Sequence, residues 1–301
     1  MSMHKRFCPI AIFAFKRPDH LGRALSSLRD NPEFDKSPLY IFCDGPRHDA
    51  EAAMTAQTQS VAEAWQHPHK TVVARVRNLG LATSISTGID RLCDEHGRAI
   101  AIEEDLTVSP VYLRFMNDAL DRYAECEQVM QVAGHVYPAK FRSTDDAVML
   151  PMSSTLGGGP WRRAWNHFDP TMRRRLLLEN DPALRWRFDL EGAYPYYKML
   201  QAQLAGNVDS WGIKWYLSVF LAGGLCVFPT KSLVAHEFDG TGTHCSTPQF
   251  REQPLRMTEI TKWPEPIPDP EALADFKAFI RRDRQPWVKV FRYLRSKLGN
   301  G

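Results

Sequence analysis

The sequence lacks the features of several common protein classes. It contains no apolar run of about 18 residues, so we predict no membrane-spanning helix. The six cysteines are scattered without a C-x-x-C pair, which favours reduced thiols over a disulfide framework or a zinc site. The net charge of +3 is too small to indicate a nucleic-acid partner, and we expect none.

Two nucleotide-binding signatures are also missing. Neither G-x-G-x-x-G nor a Walker A loop occurs, so the chain has no dinucleotide fingerprint and no P-loop. Residues 1–7 are basic but include no apolar stretch of signal-peptide length. We therefore expect a cytoplasmic protein.

What the chain does have is the composition of a globular protein and an alternating pattern of elements. Its 301 residues are 44% hydrophobic and 24% charged, enough for one large domain or two smaller ones. Strands are predicted at residues 8–15, 39–43, 71–76 and 98–102, with helices after Pro18 and over 51–65 and 79–95. A further helix is predicted from Ser109 as N-cap and Pro110 as first residue. This alternation predicts an α/β fold with a mostly parallel sheet.

The second half of the chain is richer in Trp, Tyr and Arg. Helices are predicted at 194–204 and 209–221 and a strand at 225–228, followed by a Pro-rich linker and a helix from Pro270. Residues 287–298 form an amphipathic pattern with a basic polar face. This tail is typical of a helix that docks on an anionic membrane surface, here the inner face of the cell membrane, or one that packs on the protein body.

An acidic triplet ends the most apolar predicted strand. Glu103, Glu104 and Asp105 directly follow residues 98–102. Ligands of open α/β sheets bind outside the carboxyl ends of the strands. Clustered carboxylates repel one another, and a divalent cation shared with nucleotide phosphates would compensate for this. The alternative is a solvated acidic turn.

Two other predicted strand ends carry candidate binding residues. Asp44 precedes Gly45-Pro46, and it is either a turn former or an acceptor for a base or ribose. Asn78 and Gly80 open the helix over 79–95. Its first N–H groups could face a phosphate, or the segment is an ordinary helix entry.

The last candidates lie late in the chain. Asp209 is either the N-cap of the helix over 209–221 or a general base. His236 is expected to be structural, whereas His244, beside a Gly-rich segment, is either structural or a ligand to metal or phosphate.

A Gly-rich segment at 157–160 is predicted to be a flexible loop that leads into an aromatic, basic helix. Aromatic rings there could bind sugar faces and arginines could bind phosphate, although such tryptophans are more often core residues.

Several stretches together resemble a known family. These are PIAIFAFKRPDHL, RNLGLATSISTGID, PWRRAWNHFDP and WYLSVFLAGGLCVFPTKSLV with FDGTGTHC. The chain resembles GT-A nucleotide-sugar glycosyltransferases, and more closely the bacterial family 2-like sugar transferases of cell-surface polysaccharide clusters. The EED-L segment is similar to the acidic motif of N-acetylglucosaminyltransferase I. The resemblance covers residues 8 to 245.

The resemblance implies a three-layer α/β/α fold and a division of the chain. Residues 1–245 would form the GT-A domain, with a nucleotide-binding half at 1–105 and an acceptor-binding half at 106–245. Residues 246–301 would form a Pro-rich linker and a basic amphipathic helix. The implied partners are a UDP- or GDP-linked sugar donor and a glycan or lipid-linked glycan acceptor.

The resemblance also implies roles for individual residues in an inverting, metal-dependent transfer. Asp105 and His244 would bind Mn²⁺ or Mg²⁺ at the donor diphosphate, and Asp209 would be the catalytic base. The residues that would bind the nucleotide-sugar are Ala14, Phe15, Lys16, Arg17, Asp44, Asn78, Gly80, Glu103 and Glu104.

One segment departs from the family pattern. Relatives carry a Trp-Gly-Trp-like sequence where this chain has Leu156-Gly157-Gly158-Gly159-Pro160. An aromatic platform for a sugar is therefore expected to be missing. Two alternatives stay open: a nucleotidyltransferase that makes a nucleotide-sugar, and a non-catalytic carbohydrate-binding protein on a transferase scaffold.

Overall fold

The structure is a computed structural model that describes residues 7–237 and 254–285. The described strands are β1 (Ile10–Ala14), β2 (Leu39–Cys43), β3 (Lys70–Ala74), β4 (Ile100–Glu103), β5 (Leu106–Val108), β6 (Val129–Ala133), β7 (Ala147–Leu150), β8 (Gly158–Pro160), β9 (Leu225–Pro229) and β10 (Val234–His236). The described helices are α1 (Pro18–Arg29), α2 (Ala52–Ala64), α3 (Leu81–His96), α4 (Tyr112–Arg122), α5 (Arg162–Trp165), α6 (Leu176–Asn180), α7 (Pro182–Phe188), α8 (Tyr196–Leu204), α9 (Trp211–Leu221) and α10 (Pro270–Asp283).

A mostly parallel sheet forms the centre of the fold, as predicted. Its eight strands run in the order β3-β2-β1-β4-β8-β6-β9-β7, and β1 pairs in parallel with both β2 and β4. Every residue of β1 is buried. A strand covered on both faces reads as a continuous apolar run, which explains why it was recognisable in the sequence.

Helices cover both faces of the sheet. On one face, Ile10 and Ile12 of β1 belong to the same apolar cluster as Leu21 of α1. On the other face, Phe13 packs in a cluster with Ile85 of α3. The result is a three-layer α/β/α arrangement, in agreement with the expected fold class.

The segment predicted to be a flexible loop is instead a buried strand in the middle of the sheet. β8 is antiparallel to both β4 and β6. A Cβ atom on Gly159 would lie 2.5 Å from the Ala99 carbonyl oxygen, and one on Gly158 would lie 2.7 Å from Gln131 Nε2. The strand is rich in glycine because no side chain fits there, so the loop prediction was wrong.

A second, small sheet stands beside the acidic triplet. β5 pairs antiparallel with β10, and His236 lies opposite Leu106. The Glu237 amide donates to the Asp105 carbonyl oxygen at 2.8 Å. This pairing places the end of β10 next to Asp105. Neither β5 nor β10 was predicted from the sequence, and the same is true of β6 and β7.

Part of the predicted C-terminal extension packs on the same core. Asp269 caps α10 as predicted, with its Oδ1 accepting from the Ala272 amide at 2.8 Å. Phe276 and Ile280 of α10 are buried in the apolar cluster on the α3 side. The division of the chain at residue 245 stays a prediction, and residues 287–298 lie outside the described residues. Among the described helices, none is both long and apolar enough to span a membrane.

Candidate functional site

A cavity of about 330 Å³ lies at the carboxyl edge of the parallel strands. We call it the charged cavity. It is lined by Phe13, Ala14, Phe15, Lys16, Arg17, Asp44, Arg47, Asn78, Gly80, Leu81, Ser84, Glu103, Glu104, Asp105, Asp209 and His236. Every predicted site residue is in this set except His244, which lies outside the described residues.

Arg17 holds two of the three acids of the triplet. Its Nε donates to Glu104 Oε1 at 2.7 Å and its Nη2 to Asp105 Oδ2 at 2.9 Å. The Phe15 amide donates to the other oxygen of Glu104 at 2.8 Å. Glu104 and Asp105 are only 4% and 7% exposed, so the alternative of a solvated acidic turn is wrong.

The same ion pairs affect the charge of Arg17. Burial lowers the pKa of its guanidinium, but the nearby Glu104 and Asp105 carboxylates outweigh burial and raise the pKa above its usual range. Burial also raises the pKa of Glu104, and Arg17 opposes that change. Arg17 is thus the internal counter-ion of the cluster.

Asp105 has one oxygen in a setting that suits a cation. Its Oδ2 contacts Arg17 and lies 3.5 Å from His236 Nε2. Its Oδ1 is buried and has no hydrogen-bond partner among the described residues. A buried carboxylate oxygen without a partner is costly, and a bound cation would remove that cost.

The protein alone does not supply a full coordination sphere. Among residues 7–237 and 254–285, no group of three or more His, Cys, Asp or Glu side chains could hold a metal. Mg²⁺ is usually bound by one or two carboxylates together with substrate phosphates. The residues present therefore fit a cation that shares its coordination with a phosphate ligand.

Glu103, the third acid of the triplet, has a different hydrogen-bond partner. The Trp211 indole donates to its carboxylate. Burial, and then the Asp105 charge, raises the pKa of Glu103. Trp211 is the first residue of α9, so this hydrogen bond ties the start of α9 to the end of β4.

Asp44 both shapes a turn and lines the charged cavity. Its Oδ1 accepts from the Leu79 amide at 3.0 Å and from the Gly45 amide at 3.2 Å. Burial raises its pKa, and the hydrogen bond from Leu79 opposes this. A Cβ atom on Gly45 would lie 2.6 Å from the Arg77 nitrogen, so the close approach of the two loops requires glycine.

The start of α3 is occupied by side chains of the protein. The Gly80 amide donates to Asn78 Oδ1 at 3.0 Å, and the Ala82 amide donates to Asp209 Oδ2 at 3.3 Å. Asp44 Oδ1 likewise accepts from the Leu79 amide. The N–H groups that could have faced a phosphate therefore donate to carboxylate and amide oxygens of the protein instead. A phosphate placed there would meet the charges of Asp44 and Asp209.

Asp209 is not the N-cap of α9. Ser210 has that position, and its Oγ accepts from the Ile213 amide at 3.4 Å. Asp209 is exposed and points its carboxylate across to α3. Gly80 has a φ of +80°, and a Cβ atom there would lie 3.2 Å from Asp209 Oδ2. The N-cap interpretation was therefore wrong, and the side chain faces the charged cavity.

The mouth of the charged cavity is aromatic and basic. Lys16 Nζ lies 5.6 Å from the centroid of the Phe15 ring, and the Arg47 guanidinium lies 5.1 Å from it. Both cations bond to Glu51, with Lys16 Nζ 2.7 Å from its Oε1. Sequence reasoning missed Arg47, because nothing in the pattern after Pro46 distinguishes it from a loop residue.

The described lining of the charged cavity has more acidic than basic side chains. It includes five carboxyl groups and the three cationic side chains of Lys16, Arg17 and Arg47. Sequence reasoning also missed His236, which it took to be structural. Only the long-range pairing of β10 with β5 places His236 in this lining.

A second cavity, of about 180 Å³, lies on the other side of the start of α9. We call it the neutral cavity. It is lined by His135, Val136, Tyr137, Met152, Ser153, Ser154, Thr155, Leu156, Tyr194, Tyr196, Met199, Ser210, Gly212, Ile213, Tyr216, Phe228, Phe276 and Ile280. Its described lining has no acidic or basic side chain besides His135. Burial and then the His236 charge lower the pKa of His135 to about 4, so the imidazole is neutral near pH 7.

Two pairs of residues have one member in the lining of each cavity. Asp209 lines the charged cavity and the adjacent Ser210 lines the neutral one. His236 and His135 interact electrostatically across the same boundary. Tyrosines of other segments line the neutral cavity, namely Tyr137, Tyr194, Tyr196 and Tyr216, whereas the 156–160 segment has no aromatic residue.

The tryptophans after the Gly-rich segment belong to the core. Trp161 Nε1 donates to the Leu120 carbonyl at 2.9 Å, and Trp165 stacks on Phe168. Both tryptophans are buried. The core alternative for this segment is therefore correct.

No family model matches the chain, and no curated protein matches it. Among solved structures, the chain is similar to the mannosyltransferase PcManGT from Pyrobaculum calidifontis in complex with GDP-Man and Mn²⁺. The identity is 10% and the TM-score 0.43, over 73% of this chain and 69% of that chain. A likeness of this degree carries no information on the ligand or the activity of this chain.

Proposed function

We propose that this chain is a glycosyltransferase that moves a sugar from a nucleoside-diphosphate sugar to a hydroxyl of a glycan or lipid-linked glycan. One observation carries the proposal. At one edge of the sheet, the buried Glu104–Asp105 pair and the exposed carboxylate of Asp209 line a single cavity. Such a cavity can hold an activated, phosphorylated donor at one end and remove a proton at the other.

The electrostatics of the charged cavity favour a cation with the donor. A diphosphate would be repelled by a lining that has more carboxylates than cationic groups. Asp105, with its buried Oδ1 and the neighbouring His236, would hold Mn²⁺ or Mg²⁺. When bound, the ion supplies positive charge at the leaving diphosphate. The ligand role of His244 stays a prediction.

The nucleoside would occupy the ends of β1 and β2. Phe15 offers a half-exposed aromatic face, with Lys16 and Arg47 near it. Ala14, Asp44, Asn78 and Gly80 would complete this part of the lining. Flat bases stack on aromatic faces, and ribose hydroxyls donate to carboxylates.

Asp209 would be the general base. The Ala82 amide holds one of its oxygens, which fixes the carboxylate at the boundary between the two cavities. The other oxygen would accept the proton of the acceptor hydroxyl as that hydroxyl attacks the anomeric carbon. Attack in line with the departing diphosphate inverts the configuration.

The neutral cavity would receive the acceptor sugar. Tyrosine rings match the apolar face of a pyranose, and the hydroxyls of Ser153, Ser154 and Thr155 match its polar edge. The His135 imidazole is neutral near pH 7 and the rest of the described lining has no acidic or basic side chain, which favours an uncharged sugar.

A thermal-shift screen tests the donor half of the proposal. Nucleoside diphosphates and nucleotide-sugars are added with and without Mn²⁺, and the melting temperature is measured. We expect one nucleotide class to raise it only when Mn²⁺ is present, and its sugar conjugate to be slowly hydrolysed without acceptor. Absence of any metal-dependent response would contradict the proposal. Hydrolysis would exclude the non-catalytic alternative.

A further inference from the structure

A surface away from both cavities exposes large apolar side chains. Leu176 and Leu177 of α6 are 50% and 49% exposed, and Trp186 of α7 is 56% exposed. Apolar side chains that are exposed singly are common, but contiguous groups on neighbouring helices mark interaction surfaces. These three lie on two helices that follow each other and contact one another.

The local sequence explains the exposure. α6 has only five residues, and of its three leucines only Leu178 is buried in the core. A helix of this length has one face that can pack inward, so two leucines face water. No segment within residues 7–237 and 254–285 buries these two side chains.

The segment that carries these apolar side chains is rich in arginine. The segment from Arg173 to Arg187 carries five of them, namely Arg173, Arg174, Arg175, Arg185 and Arg187, against the two acids Glu179 and Asp181. Arg174 donates to the Leu221 carbonyl at 3.2 Å, and Arg185 lies 5.1 Å from the centre of the Tyr197 ring. Leu221 lines a cavity together with Leu177, so the first contact brings the Arg174 guanidinium to the same part of the surface.

An apolar cavity opens next to the same leucines. Its volume is about 540 Å³, and Leu177, Leu184, Phe220 and Leu221 are among its lining residues. Arg187, Glu191 and Lys277 are also in its lining, and Lys277 Nζ is ion-paired with Glu191 Oε2 at 2.7 Å. The cavity continues the exposed apolar surface inward, with the Arg187 guanidinium beside it.

We propose that this arginine–leucine surface (Arg173–Arg175, Leu176, Leu177, Arg185, Trp186 and Arg187) docks on an anionic lipid bilayer. Leucine and tryptophan enter the interface while guanidinium groups bind lipid phosphates. Each basic residue close to an anionic leaflet adds attraction. A symmetric dimer through this surface would instead bring two sets of five arginines together, and like charges disfavour that contact.

The proposal is independent of the proposed function. None of these residues lines the charged or the neutral cavity. Membrane binding by the arginine–leucine surface can therefore be removed without altering either cavity, and it can be measured without any substrate.

Vesicle binding of the full chain tests the proposal. Vesicles of phosphatidylcholine with phosphatidylglycerol are compared with phosphatidylcholine alone, and the partition coefficient is measured by flotation. We expect binding to the anionic vesicles, reduced at least about thirtyfold by Arg173→Glu with Arg174→Glu. The matched control, Lys140→Glu with Lys231→Glu, removes the same charge from exposed positions elsewhere and should bind within about threefold of wild type.

A second pair separates apolar insertion from charge. Leu176→Ser with Leu177→Ser should also weaken binding, whereas Met257→Ser with Ile267→Ser, at residues each 63% exposed, should not. Unchanged melting temperatures show that the variants fold. Three outcomes overturn the proposal. The first is that the wild type does not bind anionic vesicles, and the second is that a test variant and its matched control lose equal binding. The third is a dimer in light scattering that Leu176→Ser with Leu177→Ser abolishes.

Discussion

The two cavities beside α9 differ in the charge of the side chains that line them. The charged cavity lies where parallel strands end, and its acids are bound by Arg17, Trp211 and backbone amides. The neutral cavity lies under the mixed strands β6, β9 and β7, and tyrosines and hydroxyls dominate its lining. Under the proposed function, this difference assigns the ionic donor to the first cavity and the uncharged acceptor sugar to the second.

The largest expected effect comes from the acidic edge of the charged cavity. Asp105→Asn removes the buried carboxylate that faces both Arg17 and His236, so the Mn²⁺-dependent thermal shift with nucleotide should vanish. Turnover should fall by more than about 10³-fold. Asp19→Asn, at an exposed position of α1, is the control and should leave both readouts unchanged. A retained metal response in Asp105→Asn would remove this residue from the cation site.

The second-largest effect is expected from Asp209, at the boundary between the cavities. Asp209→Asn keeps an oxygen that can accept from the Ala82 amide but cannot take up a proton. We expect kcat to fall by about 10²–10⁴-fold while donor affinity stays near that of wild type. Near-normal turnover would exclude Asp209 as the base.

A smaller effect is expected in the neutral cavity. Tyr194→Ala removes an aromatic face there and should raise the acceptor KM about tenfold. Donor hydrolysis without acceptor should not change. Tyr194→Phe keeps the ring and is the matched control. If both variants change donor hydrolysis equally, the two cavities do not have separate ligands.

The free energy of unfolding should respond differently to a methyl group added in the sheet and to one added in a covering helix. Gly159→Ala places a methyl group 2.5 Å from the Ala99 carbonyl oxygen, so the free energy of unfolding should fall by about 1–3 kcal/mol in urea titrations. Gly22→Ala in α1 has nothing within 4 Å of the new methyl group. That control should be neutral or slightly stabilising. Equal losses would mean that β8 is not tightly packed.

The smallest effect concerns pH and the segment that joins the core to α10. Burial opposes the Asp146 charge, but hydrogen bonds from Thr261, Arg256 and Lys262 outweigh it and hold the pKa of Asp146 below its usual range. A carboxyl with a lowered folded pKa stabilises the protein above its unfolded pKa, and this contribution is lost as pH falls below about 4. Asp146→Asn should therefore be less stable at neutral pH and show a shallower acid loss. A parallel pH profile would contradict this.

The sequence predicted the parallel half of the molecule because its signals are local. β1 and β4 are apolar runs, Asp44 directly follows β2, and the acidic triplet begins at the last residue of β4. In the mixed half, the apolar run of β9 was predicted at 225–228, but β6 and β8 had no such signal. β8 consists of glycine and proline, and β6 carries Gln131 in a buried position, so neither has the alternation or the run that marks a strand.

The missed site residues share a different cause. His236 enters the charged cavity only through the pairing of β10 with β5, whose residues are more than a hundred positions apart. Ser210 rather than Asp209 caps α9, a choice that depends on Asp209 bonding to α3. Local patterns contain no information on such long-range contacts.

The pairing of β5 with β10 also orders events during synthesis. The polypeptide up to Asp105 leaves the ribosome long before residue 236 has been translated. Contacts of such high sequence separation form slowly and late. Nascent chains would therefore carry an incomplete acidic edge until β10 docks, and binding competence should appear only after the chain has passed that point.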